Sequence, residues 1–259
     1  MNQLTSLLAP SLRMIFVIAA TTSLLSADPS TEKKADDATT AAIKALKLPG
    51  IEINLEEHSV DVQSAICLTE GALEFIACTK DTKEHESIIV VNARPLHIHT
   101  ALLLLGAKNG NPSMRRALDK EFTRWQDIPP SGDPVEVFLV WKNDKEETVD
   151  RPISDFITRS QDAESTPADP TKKEEKQKFP HTFLFAGSQL GDPAESPRKY
   201  YADISGHVIS ISAFGDELLC LPEVYSQENG ALMWQIDPTH VPPLHTKVTL
   251  RLRVKKPKP

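Results

Sequence analysis

Cysteine is scarce in this chain: Cys67, Cys78 and Cys220 are the only three in 259 residues. No C-x-x-C pair and no H-E-x-x-H helix motif is present, so the common zinc signatures are absent. Glycine is short as well, ten residues against twenty prolines. No phosphate-cradling loop and no G-x-G-x-x-G turn can be read, which removes the nucleotide-binding classes that depend on them. A positive balance is lacking too. The formal charge is -7, which argues against a phosphate-binding face for nucleic acid. Aromatic residues make up 6% of the chain, and Trp125, Trp141 and Trp234 are too scattered for a sugar-stacking platform. No apolar run reaches the ~20 residues that a membrane-spanning helix needs.

What is present begins with a leader. Arg13 precedes the apolar run Met14 to Leu25, and Ser26 and Ala27 are small enough for signal-peptidase cleavage. The expectation is a signal peptide over residues 1–27, with export to the periplasm or medium, and the alternative is an uncleaved anchor. Residues 28–45 read as a polar tether, with a short helix from Ala41 to Lys47 near its end. A single domain over 46–254 follows. Residues 160–178 have no apolar residue larger than alanine apart from proline, and read as a polar, disordered insertion. Residues 255–259 form a basic tail.

Within the domain, proline-rich punctuation and short alternating runs predict an α+β fold dominated by antiparallel strands, a sandwich or a strongly curved sheet. One buried helix is expected at 95–105, from Pro95 at its first position to Gly106 at its C-terminal cap. One or two short surface helices are expected elsewhere, at Arg151 to Arg159 and, unless it is an extended arm, at Met114 to Gln126. Strands are predicted at 51–55, 135–141, 182–186, 201–204, 207–213, 217–221, 231–236 and 247–254. Ser87, Ile89 and Val91 on one face and Ile88 and Val90 on the other make the strand at 85–91 a central one.

Thr69-Glu70-Gly71-Ala72 predicts a hairpin that pairs 60–68 with 73–79, Leu68 opposite Leu73 and Ile66 opposite Phe75. That register puts Cys67 and Cys78 on one face but about 13 Å apart along the strands, beyond the ~7 Å that a disulfide allows. Cys220 is free in sequence to partner either. His97 and His99 would share an ion on a strand. On a helix they lie about 200° apart and cannot. Phe185-Ala186-Gly187-Ser188-Gln189 lacks the flanking glycines of a nucleophile elbow and reads as a turn.

The residues left as a candidate functional cluster are Glu74, Cys78, His85, Glu86 and Ser87. A thiol, an imidazole and a carboxylate are the parts of an activated nucleophile. They are also metal ligands, and equally a set of structural hydrogen-bonding groups. No catalytic or metal role is assigned to any one of them from sequence.

Leu73-Glu74, Ala77-Cys78, Lys83-Glu84-His85-Glu86-Ser87 and Ile98-His99, followed by Ala101-Leu102-Leu103-Leu104-Leu105-Gly106, resemble the signature of the YdjY-domain family. Val135 to Trp141, Phe185 to Ser188, Ala202 to Ser210 and Thr246 to Leu252 resemble its later blocks, in order. The resemblance implies an exported bacterial protein of planctomycete-like type with no assigned activity. Some relatives carry an added iron–sulfur domain. Three cysteines at this spacing cannot hold a four-cysteine cluster, so no cofactor is expected. The function expected is a binding or structural domain. One alternative is a hydrolase or thiol-dependent enzyme using Cys78, His85 and a carboxylate; the other is a metal-binding protein with His85 and Cys78 as ligands. Partners are unknown, with no nucleic acid among them and no membrane span in the mature chain.

Overall fold

The computed structural model describes residues 40, 41, 43, 45–160, 178–226 and 234–255. The expected signal peptide, most of the tether, all but the ends of the 160–178 insertion, and the tail from 256 lie outside these residues.

Alternation builds the sheet. β14 (Lys247–Val254) buries Val248, Leu250, Leu252 and Val254 and turns the residues between them outward. β2 (Ser59–Ile66) buries Val60, Val62, Ser64 and Ile66 in the same way, and β7 (Pro134–Lys142) buries Val135, Val137 and Leu139. β14 lies between β2 and β7, antiparallel to both. The other strands are β1 (Ile51–Asn54), β3 (Phe75–Thr79), β4 (Ser87–Val91), β8 (Thr148–Pro152), β10 (Thr182–Leu184), β11 (His207–Ala213) and β12 (Leu219–Ser226). The order is β1-β2-β14-β7-β10-β12-β11-β3-β4, with β8 also on β7 and β4 paired back onto β2. That last pairing closes the path from β2 round to β4 into a barrel. Closure works because β1 occupies residues 59–62 of one edge of β2 and β4 occupies residues 64–66. Closed sheets have no free edge.

Most pairings are antiparallel, as the sequence predicts; β3–β4 and β11–β12 are parallel. The predicted hairpin does not form. Gly71 does take up positive φ, at 112°, but β2 pairs with β4 instead of β3, and β4 sits between them. The apolar Ser87–Val91 strand needs cover on both edges as well as both faces, and that demand overrides the local turn. Its central place was legible; that it excludes the hairpin was not drawn from it.

α1 (Pro95–Leu104) buries Pro95, Ile98, Ala101 and Leu102 against β1, β2 and a second helix, α2 (Tyr201–Ser205). Full burial was expected, yet Leu103 and Leu104 are exposed. Residues 201–204 were expected to be a strand. They form α2, whose Asp203 caps α1 by accepting from Leu96 N–H at 3.0 Å and from Arg94. The 114–128 segment is an extended arm, β5 (Met114–Ala117) paired with β6 (Trp125–Ile128). A 3-10 turn at Ile153–Phe156 stands where a short helix was expected, and Ile153, Phe156 and Ile157 are buried there. It leads into β9 (Ile157–Arg159), which pairs with β13 (Trp234–Ile236).

Candidate functional site

The site is built by the connection between β3 and β4. Parallel neighbours need a chain that runs back over the sheet, and here Lys80 to Glu86 does so. Its turn is held by Glu84, whose carboxylate accepts from Asp81 N–H at 2.5 Å and Thr82 N–H at 2.9 Å. Thr82 Oγ1 donates to Thr79 O at 2.6 Å, and Ser87 Oγ donates to Lys83 O at 2.7 Å. Gly206 closes the back of this turn. Its φ is 80°, and a Cβ there would lie 2.4 Å from Thr82 Oγ1 and 2.6 Å from Thr79 Oγ1.

The five residues singled out from sequence fall into two groups. Glu74, His85 and Glu86 make an ionic cluster with Lys83. Glu86 Oε1 is 3.0 Å from Lys83 Nζ and 3.6 Å from His85 Nε2, and the His85 side chain is 74% exposed. Burial, then the adjacent Glu86 carboxylate, hold Glu74 above its usual range. Cys78 and Ser87 belong to the other group, and both are buried. The imidazole of His85 is therefore engaged with Glu86.

Cys67 is the residue that sequence reasoning excluded from this second group. It lies beside β4, its N–H donating to Ile88 O at 2.9 Å. Cys78 pairs with Val90 on the other side of β4. The two cysteines thus flank β4 on the same face of the sheet. The hairpin register that placed the cysteines on paired strands does not hold; they flank the strand that displaced the hairpin. Cys67 Sγ donates its one proton to Ser87 O at 3.2 Å. The Cys67 thiol lowers the Cys78 thiol to about 7 against the opposing effect of burial, and Ser87 and Lys83 N–H assist. The Cys67 thiol is pushed up, by Cys78 first and by burial second. Cys220 is elsewhere, on β12, where burial and Glu217 raise it to about 12. All three thiols are free.

Cys67 also lines a groove of about 970 Å³. Gln63, Ala65, Thr249, Lys247, Val140 and Lys142 are ladder neighbours on β2, β14 and β7, out of phase with the buried residues, so the groove runs over the outer face of the barrel. Ala65, Val90, Val140 and Trp141 supply apolar surface. Lys80, Lys142, Lys247 and His245 face a single carboxylate, Glu84.

Two other sequence candidates are structural. His99 Nδ1 meets the Tyr200 hydroxyl at 2.9 Å, which donates to Gly187 O at 3.0 Å. The hydroxyl has given up its one proton, so His99 is the donor to it. Burial lowers the His99 pKa. His97, on the other side of the helix, shares none of these contacts. Ser188 Oγ donates to Asp216 O and accepts from Ala202 N–H, which ties the 185–189 turn to α2. Among the described residues no group of three or more His, Cys, Asp or Glu is gathered as a metal site, and no helix is long and apolar enough to cross a membrane.

Residues 51–253 match the YdjY domain. The match covers well over half of the chain, so the protein belongs to that family, whose function is uncharacterised. No curated protein and no solved structure matches it.

Proposed function

From YdjY membership and the groove together, we propose that this chain is an exported binding module for an elongated, mainly apolar ligand bearing an acidic group. The observation that carries the reading is the charge contrast. A chain of formal charge -7 sets three lysines against one carboxylate around an apolar groove. The volume falls within the ~300–1,000 Å³ of small-molecule sites. Apolar walls supply the driving force, and the lysines orient the acid group and select for it. Export rests on Arg13, the Met14 to Leu25 run and the small residues at Ser26 and Ala27. A binding role fits the separation of His85 from Cys78, which leaves the thiol without a neighbouring imidazole base from the candidate cluster.

The test uses a fluorescent fatty acid, 11-(dansylamino)undecanoate, displaced by laurate. Saturable binding is expected, weakened at least about tenfold, or ~1.4 kcal/mol, in the double variant K142E/K247E. Dodecanol should compete less well than laurate. Equal binding by the double variant, or equal competition by the alcohol, removes the anionic-ligand reading.

A further inference from the structure

Between Met114 and Ile128 the chain forms a ribbon of its own, in which β5 and β6 pair only with each other among the described residues. Met114, Arg115 and Arg116 are exposed in succession, as are Trp125, Gln126 and Asp127. Successive strand residues point to opposite faces, so both faces of the ribbon meet solvent. A two-stranded ribbon with no covered face is marginal in water. Its tip is nonetheless firmly built. Asp119 accepts from Thr123 N–H at 2.8 Å, from Thr123 Oγ1 at 2.7 Å and from Arg124 Nε at 3.2 Å, and Trp125 Nε1 donates to Phe122 O at 3.1 Å. Within this turn Phe122 takes up a left-handed φ of 56°, where a bulky side chain is rare, and it is 65% exposed. Leu118 and Trp125 are exposed as well, and the Phe122 and Trp125 rings lie 6.0 Å apart. A strained backbone that holds large apolar groups out in water points to a function for them.

The charge of the arm runs against that of the chain. Residues 114–128 carry four cationic side chains, Arg115, Arg116, Lys120 and Arg124, against three acids, in a chain of formal charge -7. Two of the acids are taken up internally, Asp127 by Arg115 at 2.9 Å and Asp119 by Arg124 at 3.2 Å. Arg116 bonds the neutral Gln126 and keeps its charge, so Arg116 and Lys120 stand against Glu121 alone. We propose that the arm docks on an anionic lipid bilayer, with Leu118, Phe122 and Trp125 entering the interface and Arg116 and Lys120 meeting headgroup phosphates. An exposed apolar tip has no walls of its own to enclose a partner's side chain. A protein partner would have to supply a fitted pocket, whereas a fluid bilayer closes round whatever enters it. Tryptophan favours the headgroup level, where its ring meets acyl chains and its edge meets water. Basic residues beside an anionic surface add attraction. Three inserted side chains give a reversible contact and span nothing. The proposal is independent of any ligand in the groove.

The experiment titrates the full-length protein with vesicles of phosphatidylglycerol and phosphatidylcholine, the latter brominated on its acyl chains. Bromine quenches a tryptophan that enters the bilayer, so the signal follows Trp125 and not the apolar run at Met14 to Leu25. Wild-type fluorescence should be quenched, and W125F should lose most of that quenching. L118S/F122S keeps Trp125 but should need at least about fivefold more lipid for half the effect, and so should R116E/K120E. Vesicles of brominated phosphatidylcholine alone should bind the wild type more weakly by a similar factor. Thermal melting should stay at the wild-type value, because the ribbon lies outside the barrel sheet. Displacement of the dansylated acid by laurate should also be unchanged in L118S/F122S, which separates the arm from the groove. If L118S/F122S melts early, R116E/K120E decides. No quenching of the wild type, equal quenching in W125F, or equal lipid demand in the deciding variant overturns the proposal. So does equal binding to the uncharged vesicles. A dimer in solution that is lost in L118S/F122S, without quenching by lipid, would make a second copy the occupant and overturn it too.

Discussion

Arg251 of β14 grips Asp61 of β2 with two parallel hydrogen bonds, Nε at 2.8 Å and Nη2 at 2.6 Å. The two residues are ladder partners, so the ion pair lies directly over the seam between the strands. Asp150 of β8 and Glu57 reach the same guanidinium at 3.3 and 3.2 Å. Asp61 holds the guanidinium above its ordinary range, and both side chains are largely shielded, at 17% and 18% exposure. Arg251→Met keeps the stem but leaves three carboxylates facing one another. A loss of about 2 kcal/mol is expected, seen as a lower urea midpoint, and the deficit should shrink as salt is added.

Gly206 should tolerate no side chain. Its backbone is left-handed, and its missing Cβ is where Thr79 and Thr82 pack. Gly206→Ala is expected to cost about 2 kcal/mol or more. Because Thr82 anchors the crossover over Cys78, thermal melting should fall and Cys78 should become open to maleimide in the folded protein.

The thiol pair should titrate as a unit. Cys78 sits near 7 and Cys67 is held well above its ordinary range, so the first proton to leave is that of Cys78. Cys67 is the accessible sulfur and keeps its proton, so its alkylation by iodoacetamide in the folded protein should stay slow through neutral pH. In Cys78→Ser the largest cause of that elevation is gone, so the Cys67 profile should fall toward the usual ~8.5. An unchanged profile in that variant would show that Cys78 does not act on Cys67.

Glu217 is fully buried, and burial holds its carboxyl above the usual range, although Asp216 N–H donates to it at 2.8 Å. A raised acid pKa means that the folded chain binds the proton more tightly than the unfolded one. The stability this gives is complete below the unfolded value, ~4.3, and is lost as pH rises through the folded value. Glu217→Gln should therefore gain on the wild type in urea melts at neutral pH, and the gain should close as pH falls below about 4.

The candidate site was half legible in the sequence. Cys78 and Ser87 were singled out and do sit together, and Glu74, His85 and Glu86 form their own cluster. Cys67 was excluded by one wrong pairing. The turn at Gly71 is local and easily read, whereas β4 slipping between β2 and β3 is a demand of burial that no window of sequence displays. The groove was invisible for the same reason. Its lining comes from five strands and four connecting segments, most of them contributing residues that in sequence look like ordinary outward-facing positions.

By itself the sequence determined what each segment could be. Period-two alternation marks β2, β7 and β14; Pro95 and Gly106 bound α1; apolar faces on both sides make β4 central; and the spaced motifs carry the family. Only the tertiary structure decided which strands meet. Alternation says which face of a strand is buried, not which neighbour lies beside it. The partner is chosen by closing the sheet through β2 and β4, and that closure sets Cys67 and Cys78 on either side of β4 and gathers the lysines on the outer face.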